Sequence, residues 1–197
     1  MRSICVFCGS SLGVNPLFVE MAKELARCMA EADMQLVYGG ANVGLMGVIA
    51  NEMLALNAEV IGVMPKHISE LEIAHKGLTQ MHLVDSMADR KALMVSISDG
   101  FIALPGGFGT LDEIFEVITY NQLELINKPV GFLNVEGYFD GLMHFMKRGV
   151  DDQLLRSEHV NNIAVASTPT KLIERMSKST SSDLLNWIDD IKKEPIK

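Results

Sequence analysis

The sequence predicts an α/β chain with a Rossmann-like, doubly wound parallel sheet and helices on both faces. Three observations predict it. Short apolar runs alternate with longer stretches of helical period, the pattern of a parallel sheet with covering helices. The order of these elements reads as a doubly wound fold, in which crossovers place helices on both faces. The first, second and fifth runs end in small or flexible residues, "CGSSLG", "YGGANVGLMG" and "LPGGFGT", where such folds bind ligands at the carboxyl ends of strands.

The elements follow in order. Ile4 to Cys8 reads as the first strand. Leu17, Phe18, Met21, Leu25, Cys28 and Met29 then recur at the three-and-four spacing of one helix face. Gln35 to Tyr38 and Glu59 to Met64 are the next two strands, with a helix from Leu45 to Leu56 between them. Pro65 to Gln80 has weak periodicity and mixed charge, and reads as a loop over the site or as an exposed connection with a short helix. Met81 to Val84, Gly100 to Leu104, Val130 to Leu133 and Ile163 to Val165 complete the strands. Helices are expected over Met87 to Ser98, Thr110 to Leu125, Tyr138 to Arg148 and Pro169 to Ser177. Right-handed crossovers place them on both faces.

The chain has 197 residues, 48% of them hydrophobic, enough for one sizeable core, so residues 1–178 are expected to form a single domain. Residues 179–197 read as a tail with a short helix packed through Leu184, Leu185, Trp187 and Ile188. A formal net charge of −8 excludes a surface made for nucleic acid, while leaving room for a small phosphorylated ligand. No apolar stretch approaches a membrane span and the amino terminus lacks a signal-peptide core, so a cytoplasmic location is expected.

Three cysteines argue against a disulfide framework. Cys5 and Cys8 form a C-x-x-C, but within a strand a separation of three sends them to opposite faces, which favours buried thiols over a redox pair. His67, His75 and His82 are too irregularly spaced for a zinc site.

"CGSSLG" is not the G-x-G-x-x-G of a dinucleotide fold, and no Gly-Lys-Ser/Thr follows any glycine turn, so nicotinamide dehydrogenases and P-loop enzymes are disfavoured. "PGGFGT" ahead of an amphipathic helix is a better anion site. Its glycine backbone and the free amides of the first helical turn offer donors to a phosphate, aided by the helix dipole. Thr110 is expected to be the N-cap. Two readings of Glu113 stand open: a capping box in which it reaches back to the Thr110 amide, or catalysis. Asp112 is assigned only the helix start. In "SMADRKALM", Arg90 could grip a phosphate through its forked donors, or Arg90 and Lys91 could form a solvated helix face.

Taken together, "CVFCGSSLG", "LVYGGANVGLMG", "GVMPKHI", "MADRKALM", "SDGFIALPGGFGTLDE" and "KPVGFLNVEGYF" resemble, in order and spacing, the cytokinin-activating phosphoribohydrolases, the "lonely guy" family formerly labelled lysine decarboxylases. The resemblance runs from about Ile4 to about Ala166. It implies hydrolysis of the N-glycosidic bond of a purine nucleoside 5'-monophosphate, a Rossmann-like homodimer, and no metal or redox cofactor. It places the catalytic pair on Arg90 and Glu113. It gives substrate contacts to Ser10, Gly40, Glu72, Arg90, Lys91, Gly106, Gly107, Phe108, Gly109 and Thr110. Two departures stand out: Ala88 replaces the histidine of Met-His-x-Arg-Lys, and Ala41 replaces the third glycine of the second turn. A non-catalytic carrier of a nucleotide or pterin cofactor is the alternative. Lysine decarboxylation finds no supporting pyridoxal phosphate motif.

Overall fold

In the computed structural model, which describes residues 1–69 and 73–178, all seven expected strands join one parallel sheet. They are β1 (Ser3–Phe7), β2 (Gln35–Tyr38), β3 (Val60–Pro65), β4 (Gln80–Val84), β5 (Gly100–Ala103), β6 (Val130–Leu133) and β7 (Ile163–Ala166). Their order across the sheet is β4-β3-β2-β1-β5-β6-β7. The chain winds outward from β1 to β4, then returns to the other side of β1 with β5. The order therefore reverses between β1 and β5, and a doubly wound sheet opens a crevice beyond the carboxyl ends at that point.

The middle strand shows why the sheet is covered twice. All five residues of β1 are buried, and alternate side chains enter separate cores. Ile4, Val6 and Cys8 pack with the face that carries α1 (Pro16–Glu31), α2 (Gly44–Ala55) and α8 (Pro169–Lys178). Cys5 and Phe7 pack on the opposite face, with α4 (Met87–Ile97) and α5 (Phe108–Gln122). The two cysteines thus face apart, as their spacing predicts.

Helix α1 begins where Pro16 occupies its first turn and the Asn15 side chain accepts from the Leu17 amide at 3.0 Å. Its most deeply buried residues are Ala22, Leu25, Ala26 and Met29; Leu17, Phe18 and Met21 cover the edge of the core, and Cys28 is only half-buried. Ala22, Leu25, Ala26 and Met29 join the core cluster that α1 shares with α2. Leu25→Ala is expected to cost about 2–5 kcal/mol, read as a lower midpoint in urea unfolding with an unchanged slope.

The short helix allowed for after Pro65 is α3 (Lys66–Ser69), and two further short elements were not expected: a 3-10 turn at Val135–Gly137 and α7 (Ser157–Asn161). The turn explains why α6 runs Asp140–Asp151 rather than starting at Tyr138. Glu136 and Gly137 take φ of +48° and +73°, which no right-handed helix accommodates. The expected terminal helix around Trp187 lies outside the described residues. No helix among the described residues is long and apolar enough to cross a membrane.

Candidate active site

The three glycine turns are laced together at the point where the strand order reverses. Gly9, just after β1, donates its amide to the Pro105 carbonyl at 3.1 Å and accepts the Leu45 amide at 3.1 Å. One residue therefore ties the β5 loop to the first turn of α2. Gly44, at φ +54°, sits so close that a Cβ there would overlap the Ser10 and Ser11 backbone. Gly106 is equally confined, because a Cβ would meet the Thr110 side chain and, at 2.9 Å, the Gly9 nitrogen.

Helix α5 starts two residues earlier than expected. Gly107 is its N-cap, without any side-chain cap bond, and Leu111 donates the first intrahelical bond to the Gly107 carbonyl at 3.1 Å. Thr110 is therefore not the N-cap but a buried residue inside the first turn, pressed against Gly106. The capping box is ruled out by the same shift in register. The amides of Phe108, Gly109 and Thr110 precede the first intrahelical bond and so remain available to an anion. Phe108 is 93% exposed, so what it offers toward the cradle is its backbone amide.

Glu113 lies one turn further along α5, facing Arg90. Its Oε1 is 3.4 Å from Arg90 Nη2, and the two side chains are only 12% and 13% exposed. Arg90 comes from the first turn of α4, which starts where Ser86 accepts the Asp89 amide at 3.0 Å. Its Nε donates to the Val63 carbonyl at 3.1 Å, and a Cβ on Gly39 would overlap its guanidinium. Arg90 is thus seated against the ends of β2 and β3 with one edge turned to Glu113. Burial pushes the Glu113 carboxyl above its ordinary value, and the Arg90 charge opposes that shift only in part. Burial, with the charge of Glu113 added, also holds the Cys5 and Cys8 thiols well up, so neither is a thiolate.

The neighbouring cation is engaged elsewhere. Lys91 Nζ lies 3.2 Å from Asp112 and 3.1 Å from Glu116, bridging α4 to α5. Burial pulls its ammonium down, but the bonds to Glu116 and Asp112 outweigh this and leave it raised. Asp112 therefore does more than favour a helix start: it braces the helix that carries Glu113.

Ser10 is exposed beside Gly44, and Gly40, at φ +79°, accepts the His75 amide at 2.8 Å. Glu72 lies outside the described residues. Among the described residues, no group of three or more metal-ligating side chains is placed to hold an ion. Tyr138 went unnoticed as a single residue in the sequence. It donates to the Gly106 carbonyl at 2.6 Å and stacks edge-on with Phe18 at 5.4 Å, fixing the outer side of the anion loop. Its signal was the "YF" that follows the positive-φ turn at Glu136 and Gly137.

A row of free amides beside a buried, arginine-paired carboxylate can hold a phosphate while presenting negative charge nearby. The family model described as "Possible lysine decarboxylase" matches residues 46–176. The rice (Oryza sativa subsp. japonica) probable cytokinin riboside 5'-monophosphate phosphoribohydrolase LOGL2 is 42% identical over 177 residues, covering 90% of this chain and 72% of that protein. The Arabidopsis thaliana cytokinin riboside 5'-monophosphate phosphoribohydrolase LOG2 is 40% identical, covering 90% and 83%.

The chain belongs to the phosphoribohydrolase family.

Among solved structures, the molybdenum cofactor carrier protein of Chlamydomonas reinhardtii aligns with a TM-score of 0.68 at 18% identity, covering 92% of this chain and 99% of that one. The molybdenum cofactor binding protein of Rippkaea orientalis aligns at 0.67 and 21%, covering 90% and 96%. At such identities they share the fold with this phosphoribohydrolase family member. Of the two departures, Ala88 lies exposed two residues before Arg90, and Ala41 is buried in a bridge to Ala74.

Proposed function

We propose that this chain hydrolyses the N-glycosidic bond of purine nucleoside 5'-monophosphates, releasing the free base and ribose 5-phosphate. The observation that carries the proposal is the buried Arg90–Glu113 pair beside the glycine cradle, in a chain about 40% identical to phosphoribohydrolases. The phosphate docks on the amides of Phe108, Gly109 and Thr110, with Gly106 and Gly107 keeping the approach clear and Ser10 and Gly40 lining the crevice. Gly109 and Glu113 are four residues apart, about 6 Å along the axis, so the ribose of the docked nucleotide reaches the carboxylate.

As the bond from the anomeric carbon to the base nitrogen breaks, positive charge grows on the sugar. The Glu113 carboxylate stabilises that charge and orients the attacking water. Water adds its oxygen to the anomeric carbon, and the base departs with a proton on its ring nitrogen. Arg90 holds the carboxylate in place and supplies positive charge to the anionic nucleotide. The active assembly is a homodimer.

Purified protein incubated with AMP and with isopentenyladenosine monophosphate should release free base, resolved by chromatography. A panel of purine and pyrimidine monophosphates that yields no base would defeat the proposal, and thermal stabilisation by nucleotides without turnover would instead indicate a carrier.

The first and last glycines of the cradle, Gly106 and Gly109, separate docking from folding. A Cβ on Gly109 meets nothing within 4 Å, so Gly109→Ala is expected to keep or raise stability by up to ~1 kcal/mol. It should still lower kcat/KM by about tenfold, through the methyl placed where phosphate approaches. Gly106→Ala, which clashes within the protein, should lower both activity and Tm.

A further inference from the structure

Beyond the catalytic pair, one hydrogen-bonded chain fixes the turn against which Arg90 is seated. Residues 73–77 form a strap across the second glycine turn. Ile73 accepts the Asn42 amide at 2.8 Å, His75 donates its amide to the Gly40 carbonyl at 2.8 Å, and Ala74 bridges to Ala41. The His75 ring, almost wholly buried, locks this strap. Its Nδ1 accepts the Gly77 amide at 3.0 Å, which leaves the proton on Nε2. Nε2 then donates to Asn51 Oδ1 at 3.1 Å, and Asn51 Nδ2 donates to Asn42 Oδ1 at 3.2 Å. The chain begins and ends on the two segments it joins, and it is satisfied only by a neutral ring with one tautomer. Burial lowers the pKa of His75, which favours that neutral form.

We propose that His75 is a positioning residue: by latching the strap to the Gly39–Asn42 turn through Asn51, it sets the wall that seats the Arg90 guanidinium. The link to Arg90 is steric. Gly39 abuts Arg90 so tightly that no Cβ fits between them, so a shift of the turn becomes a shift of the arginine. The site is thereby assembled from three layers: Glu113 on α5, Arg90 on α4, and a strap-held turn behind Arg90. The effect on catalysis rests on the proposed hydrolase reading; the latch itself does not.

The test compares wild type, His75→Phe, which fills the space without the hydrogen bonds, His75→Gln, which keeps a donor toward Asn51, and Asn51→Ala, which cuts the chain from α2. Amide hydrogen exchange is followed over residues 73–77, alongside kcat and KM for AMP. His75→Phe and Asn51→Ala should each speed exchange of the strap at least tenfold and lower kcat about tenfold with KM within twofold, and His75→Gln should recover most of both. Nitrogen NMR of the wild-type ring should show the Nε2–H tautomer. Unchanged strap exchange in both disrupted variants would overturn the latch, as would the other tautomer. Loosened straps with wild-type kcat would overturn the positioning role. A wild-type protein that turns over no nucleotide defeats the hydrolase reading and the positioning role with it, while exchange still decides the latch.

Discussion

Glu113→Gln is expected to lower kcat for nucleotide hydrolysis by at least ~100-fold while leaving the Tm at neutral pH unchanged or higher. The two halves of this result have one origin. Glu113 is buried, and desolvation lifts its carboxyl above the ordinary 4.5 in spite of Arg90. A carboxyl that is harder to ionise in the folded protein than in the unfolded one makes the native state bind more protons within that window. Its ionised form therefore weighs against folding above the raised pKa. This burden shrinks as pH falls through the window and is gone below the ordinary carboxylate value. The neutral glutamine avoids it while retaining the side chain's shape. Differential scanning calorimetry at neutral pH and near pH 4 should show the variant's advantage only at the higher pH. Lost turnover together with kept stability would mark a carboxylate that is costly to keep and placed for chemistry. A variant with wild-type kcat would leave Glu113 as no more than Arg90's structural partner.

The fold was legible because burial on both sheet faces writes continuous apolar runs into the sequence. Ile4 to Cys8 read plainly as a strand, though its central place came only with the sheet order, and the spacing of Cys5 and Cys8 gave their opposite faces. The glycine runs after the first, second and fifth strands were equally plain, because close backbone approach admits no other residue at Gly44 or Gly106. The start of α5 was misread for a physical reason. A glycine N-cap leaves no side-chain signature, whereas Thr110 and Glu113 mimic a capping box three residues too late. Contacts across long sequence distances were also hidden. Nothing near Lys91 reveals that it answers Asp112 and Glu116, and His75 could be weighed only as a metal ligand until Asn51 and Gly77 were found around its ring. Local pattern located the parts of the site; tertiary packing decided which of them face one another.

Arg90→Ala should be as damaging to turnover as Glu113→Gln, about 100-fold or more, but unlike it should also destabilise the protein. Removing the guanidinium leaves Glu113 buried without its counter-charge and deprives the Val63 carbonyl of its donor. The expected cost is about 3 kcal/mol, at the low end for breaking a buried pair, because both side chains keep a little exposure to water. Glu113 should then titrate higher still, since the larger of the two opposing charges, Arg90 ahead of Lys91, has gone. Adding Glu113→Gln to Arg90→Ala removes the stranded carboxylate, so the double variant should regain much of the lost stability and none of the activity. Urea unfolding of the four proteins gives the coupling directly as the departure from additivity. Arg90→Lys sharpens the assignment. A lysine keeps the charge but lacks the fork that serves Val63 and Glu113 together, so stability should fall less than with alanine while turnover stays low. Additive stabilities across the cycle would show that the pair does not hold together energetically, and Arg90 would then act on the nucleotide alone.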